Sequence, residues 1–218
     1  MALDFKVARL SYKDLKSVAQ QLRMLGDIHA EKKNFDIVDL LHNVVIPALK
    51  KEGKHFDIEV DDAMEHPAEV DLQKQTLFLE SWIITAARKG NFRARLILAH
   101  EIAHMILHKD QVMAFSADKA VQLGFLEDED SAEWQAQKFA SLLLLPDEII
   151  VSTRKLDPEV ASIVTLVEPE VLTERRVDYE IQNRVALDHL VECQCECGNL
   201  SVIKFGAGSL CGRCGSIT

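Results

Sequence analysis

The stretch from Asn91 to His108 constrains this chain most. Leu96, Ile97, Leu98, Ala99, Ile102, Ala103, Met105, Ile106 and Leu107 cover nearly the whole circumference of a helix, yet His100, Glu101 and His104 sit in its middle. A helix that is apolar all round belongs in a core. A buried polar group without a partner costs about 1–3 kcal/mol, so the helix can be buried only if something satisfies these three side chains together. His100 and His104 stand at i and i+4, on one face and one turn apart. That spacing lets both imidazoles reach one zinc ion at about 2.0–2.1 Å. Glu101 lies roughly 100° round the helix and is no natural third ligand. Its place suits a general base that takes the proton of a water at the metal. A pattern with three fixed positions also arises by chance; the apolar surroundings are what argue for a metal here.

A catalytic zinc usually has three protein ligands and an open position. Glu133 is the best remaining candidate, on a helix that starts near Asp130 and is stopped by Pro146. It shares a stripe with Ala136, Ala140 and Leu143 or Leu144. A carboxylate on a buried stripe needs a positive partner, and the two alanines permit close approach to the histidine helix. The helix dipole also favours a first-turn glutamate, so two readings of Glu133 stand. His108 falls one further turn along, about 5 Å up the axis. It reaches the same metal only if the helix bends, and otherwise ends the helix or walls the pocket.

These residues resemble the ImmA/IrrE metallopeptidases, whose members carry Thr-Leu-Ala-His-Glu-Leu-Gly-His and Glu-x-x-Ala-x-x-Phe-Ala-x-x-Leu-Leu-x-Pro segments. Here they read Ile97-Leu98-Ala99-His100-Glu101-Ile102-Ala103-His104 and Glu133-Trp134-Gln135-Ala136-Gln137-Lys138-Phe139-Ala140-Ser141-Leu142-Leu143-Leu144-Leu145-Pro146. The stretch Val167 to Arg176 also looks like the family, so the resemblance covers about residues 11 to 180. It implies zinc held by His100, His104 and Glu133, Glu101 as catalytic acid/base, and a small zincin-like fold. The substrate class it implies is a helix-turn-helix transcriptional repressor of a phage, mobile element or stress regulon, inactivated by one cut. Ala103 replaces the usual glycine, and Gln135 and Gln137 replace the usual Glu and Asn; none of these changes removes a ligand.

Around these motifs, Ser11 with Asp14 forms a capping box that opens a helix to about Leu25, closed by Gly26. A second helix starts near Asp36, and Pro47 ends or kinks it. Phe56, Ile58 and Val60 alternate with polar residues as in a half-buried strand, and Gln75 to Leu79 is a second strand. Ser81 caps a short helix ending at Arg88, Lys89 and Gly90, and Asn91 caps the histidine helix. Two more helices are predicted over Glu148 to Lys155 and Pro169 to Asn183.

From about Leu187 glycine and cysteine take over. All five cysteines lie in the last 26 residues, an odd number and a clustering that suit metal ligation better than disulfides. Cys195-x-Cys197-Gly198 and Cys211-x-x-Cys214-Gly215 read as the two knuckles of a zinc ribbon, with Leu200 to Phe205 as a strand between them. Cys193 is a spare thiol or takes the place of Cys195; a redox-active thiol cluster is the competing reading.

The expected architecture is therefore α+β: a mainly helical zincin-like core with a small sheet over residues 1–186, then a ribbon over 187–218, with one catalytic and one structural zinc. A net charge of −10 argues against broad nucleic-acid binding. No apolar run is long enough to span a bilayer and no signal-peptide core is present, so a cytoplasmic location is expected. The expected reaction is zinc-dependent cleavage of a protein; the alternatives are a non-catalytic module that docks on a repressor or toxin partner and a ribbon protein that binds nucleic acid through residues 187–218.

Overall fold

The computed structural model describes residues 4–110 and 127–188, and the backbone of two strands at 202–205 and 208–211. The chain divides into two compact units, 1–175 and 176–218. The fold is α+β, mainly helical with a small sheet.

In the first unit, α1 spans Tyr12–Leu25, opened by the Ser11–Asp14 capping box with both reciprocal hydrogen bonds formed. Helix α2 (Ile37–Leu40) passes through a π-helical turn (Leu41–Val45) into α3 (Ile46–Lys51). Pro47 therefore neither ends the helix nor forces a sharp break. Its missing N–H and bulky ring cannot sit in an ideal α ladder, and the wider turn just before it absorbs the mismatch.

Strands β1 (Asp57–Val60), β2 (Ala68–Asp71) and β3 (Thr76–Leu79) form one sheet in the order β1-β3-β2, with β1 parallel and β2 antiparallel to β3. The centre is apolar, with Leu77 and Leu79 wholly buried. Edge strand β1 departs from the expected pattern: Phe56 is buried, but Val60 is 66% exposed. Strand β2 was not foreseen, since Ala-Glu-Val-Asp is short and half acidic.

Helix α4 (Trp82–Arg88) leads to α5 (Phe92–Leu107), the histidine helix. Ser81 makes no cap bond; its N–H instead donates to Asp62 Oδ1 at 2.7 Å. Asn91 does cap α5, accepting from the Ala94 N–H at 2.9 Å. Between the two helices Gly90 has φ +81°, and a Cβ there would meet Leu166 Cδ1 at 3.0 Å. Gly90→Ala should thus cost about 1–2 kcal/mol, seen as a lower denaturant midpoint with unchanged slope; an unchanged midpoint would contradict the assigned turn.

Helix α6 (Ala132–Leu144) packs most extensively of all elements against α5. The small residues Ala132, Ala136 and Ala140 are wholly buried on it, which allows the close approach. Helices α7 (Asp147–Thr153), α8 (Pro158–Thr165) and α9 (Pro169–Asp188) follow, the division between units falling within α9. Two buried arginines tie these layers. Arg23 donates to the Leu143 and His29 carbonyls at 2.8 and 2.7 Å, and Arg95 to the Phe35 carbonyl at 2.6 Å. Their guanidinium carbons stand 5.2 and 5.4 Å from the Phe35 ring centre. Burial lowers the Arg23 pKa to about 10, still charged at neutral pH, and backbone carbonyls and a ring face replace water.

In the second unit β4 (Val202–Phe205) and β5 (Gly208–Cys211) pair antiparallel. Cys193, Cys195, Cys197 and Cys214 lie outside the described residues, and Cys211 is described only as backbone. Among the described residues, no helix is long and apolar enough to cross a membrane.

Candidate metal centre

Three side chains from two helices converge. His100 Nε2 lies 3.0 Å from His104 Nε2, and Glu133 Oε2 and Oε1 lie 3.3 and 3.4 Å from those two nitrogens. Four ligands around zinc at about 2.0–2.1 Å in a tetrahedron stand about 3.3–3.4 Å apart, so the separations suit such an ion. The chemistry suits it as well. Two imidazole nitrogens 3.0 Å apart and half-buried or buried repel each other through their lone pairs unless a proton or a cation sits between them. His100, His104 and Glu133 form the one group of its kind found among the described residues.

Local structure sets each contribution. The i, i+4 step on α5 stacks the two histidines on one face, with ring centres 4.8 Å apart. Glu133 stands in the first turn of α6, and that turn is fixed from the chain's N-terminal segment. Asp4 accepts from Ser131 Oγ at 2.7 Å and from the Glu133 N–H at 3.1 Å, while the Ala132 N–H donates to the Phe5 carbonyl at 3.1 Å. The Phe5 ring lies against both His104 and His108, with centres 6.5 and 5.9 Å away.

Charge follows the same geometry. Burial alone would raise the Glu133 pKa, but hydrogen bonds and attraction from His100 and His104 outweigh it and hold the carboxyl below the usual range. Burial would lower His100, yet Glu133 and Glu101 raise it on balance. Glu101 is 7% exposed. Burial raises its pKa, opposed in part by the two histidines and by the Val70 backbone N–H on β2. A carboxyl lifted in this way is a better proton acceptor than an exposed one.

His108 is wholly buried and is not part of the converging group. Its Nδ1 is 3.0 Å from His104 Nδ1, on the side of that ring away from Glu133, and its Nε2 is 3.0 Å from Gln135 Oε1. Burial, then the neighbouring His104, lowers its pKa to about 4. Beside the three side chains a cleft of about 720 Å³ opens, lined by Asp4, His100, Glu133, Trp134, Gln137 and Lys138 among others.

Asp4, Phe5 and Gln135 were not singled out for these roles from sequence. Gln135 alone carried a signal, as a departure from the resembled motif; Asp4 and Phe5 lie outside any periodic pattern.

A family model described as the IrrE N-terminal-like domain, a peptidase family, matches residues 54–160, a span that includes α5, β2 and Glu133. Among solved structures the chain is similar to a Mycobacterium tuberculosis transcriptional regulator, at 14% identity and a TM-score of 0.48, over 75% of this chain and 46% of that one. The chain thus spans less than half the length of that regulator. No curated protein matches it.

Proposed function

From the premise that residues 54–160 belong to the IrrE N-terminal-like family, we propose that this chain is a zinc-dependent endopeptidase. The observation that carries the proposal is the convergence of His100, His104 and Glu133 beside a buried Glu101 at the edge of an open cleft. His100, His104 and Glu133 hold the metal, which when bound supplies Lewis-acid polarisation of a scissile carbonyl and a lowered pKa for an attacking water. The residues do the rest. Glu133 arrives as a carboxylate because the two histidines keep it ionised. Glu101, shielded from solvent, takes the proton from the attacking water and later delivers it to the leaving amine. The cleft accommodates an extended stretch of a protein substrate.

The substrate class we propose is a helix-turn-helix transcriptional repressor, supported by the motif resemblance in His100 to His104 and Glu133 to Pro146. We further propose that residues 187–218 form a separate zinc ribbon in which Cys195, Cys197, Cys211 and Cys214 hold a second, structural zinc. The protein is read as cytoplasmic and without direct nucleic-acid binding, on charge and composition.

Elemental analysis tests the metal directly. The purified chain should hold two zinc ions, and Glu133→Ala should hold about one, because losing a ligand from a three-ligand site removes most of its affinity. If the native chain held one zinc and Glu133→Ala kept it, the catalytic centre would be ruled out and the docking-module alternative would take its place.

A further inference from the structure

The hydrogen bonds behind the metal-binding face run in one direction only. Gln135, two residues from Glu133 on α6, is wholly buried. Its Nε2 donates to the carbonyl oxygens of Ala8 and Glu129 at 2.8 and 2.7 Å. Both amide protons are thereby engaged with groups that can only accept. Turning the amide over would set its oxygen against two carbonyl oxygens, so the orientation is fixed.

Gln135 Oε1 then faces His108 Nε2 at 3.0 Å. An amide oxygen only accepts, so His108 Nε2 carries a proton. Neither His108 nitrogen faces a carboxylate, and the buried ring is neutral, so its Nδ1 offers a lone pair. That lone pair faces His104 Nδ1 at 3.0 Å. His104 must therefore donate from Nδ1, so that its neutral form carries the lone pair at Nε2, the nitrogen beside His100 and Glu133.

We propose that Gln135 is a positioning residue: acting through His108, it locks His104 in the tautomer whose Nε2 is free to bind the metal. A metal-binding histidine usually donates its second N–H to a carboxylate, a carbonyl or a water. Here the acceptor is another imidazole, and that imidazole accepts only because Gln135 holds its proton at the far nitrogen. The inference rests on the zinc reading given above.

The test uses the full-length chain and two readouts, imidazole ¹⁵N shifts of the zinc-free protein and the zinc dissociation constant of the site that Glu133→Ala removes. In the native chain His104 should be protonated at Nδ1. Gln135→Leu should admit the Nε2-protonated form and weaken zinc about 10–100-fold. His108→Gln and His108→Leu give the second comparison, which stands even should Gln135→Leu fail to fold. The Gln amide can accept from His104 and donate to Gln135, so it should retain zinc where Leu loses it.

Equal losses in His108→Gln and His108→Leu, or native-like zinc affinity in Gln135→Leu, would overturn the inference while leaving the zinc site standing. A native chain that binds no zinc at this site would instead overturn the proposed function, and the inference with it.

Discussion

Glu101→Gln should abolish peptide hydrolysis and leave the zinc content unchanged. The amide has nearly the shape of the carboxylate, so the fold and the three converging ligands have no reason to move. What it lacks is basicity. Glu101 is buried on α5 one residue from His100, with the Val70 N–H against it, and burial raises its pKa. General acid–base groups of this kind contribute typically 10²–10⁴-fold to rate, and a loss of that size in single-turnover cleavage is the expected result. Cleavage at the native rate would remove Glu101 from the mechanism. Loss of zinc together with activity would make it a ligand instead, a role its place on the helix does not suit. A substrate protein that binds but is not cut should accumulate on the variant, which gives a route to identifying it.

The largest effect on stability is expected at Asp147, in the first turn of α7 and outside the converging group. Arg175 is wholly buried, and Asp147 accepts a hydrogen bond from its Nη2 and another from Lys16 Nζ. The Arg175 guanidinium carbon also stands 5.8 Å from the Tyr12 ring centre. Asp147→Ala strands a buried cation, and removal of one partner of a buried pair costs about 3–5 kcal/mol. The Asp147 side chain is 25% exposed, so the low end, about 3 kcal/mol, is expected. For a chain of this size that lowers Tm by about 6–12 °C. Adding Arg175→Met removes the stranded charge and should restore much of the loss. Without that recovery, packing rather than charge would be the cause.

The pair also sets a pH dependence. Burial would raise the Asp147 pKa, but Lys16 and Arg175 lower it on balance. Because the folded value lies below that of the unfolded chain, the contribution is complete above about pH 4. It is lost as the pH falls through the folded value. Thermal melts of native and Asp147→Ala protein should converge below that range.

What was legible in the sequence was whatever a local pattern encodes. The capping box at Ser11, the glycine stop at Gly90, the Asn91 cap and the i, i+4 histidines are each set by a few neighbouring residues, and each takes its expected local form. The start of α8 is encoded as locally as these: Asp157 caps it and Pro158 opens it. Other features depend on partners distant in sequence. Arg95 lies on the apolar helix and is buried because Phe35 and the Leu166 carbonyl happen to face it. Nothing in the order of residues around Gln135 announces that its amide meets two carbonyls from separate segments. The two readings of Glu133 likewise differ only in what lies across from the helix, which a single stripe cannot specify.

The clamp between the N-terminal segment and the start of α6 has a kinetic meaning. Asp4 and Ser131 are joined across a separation of 127 residues, so this contact closes a loop containing the sheet and the histidine helix. Closing long loops costs entropy that must be spent before the contact repays it. Seating Glu133 therefore depends on a contact of long sequence separation, whereas the histidines one turn apart are aligned by a single helix. If the three side chains hold a metal together, that metal gains its third ligand only when the two ends of this long loop have met.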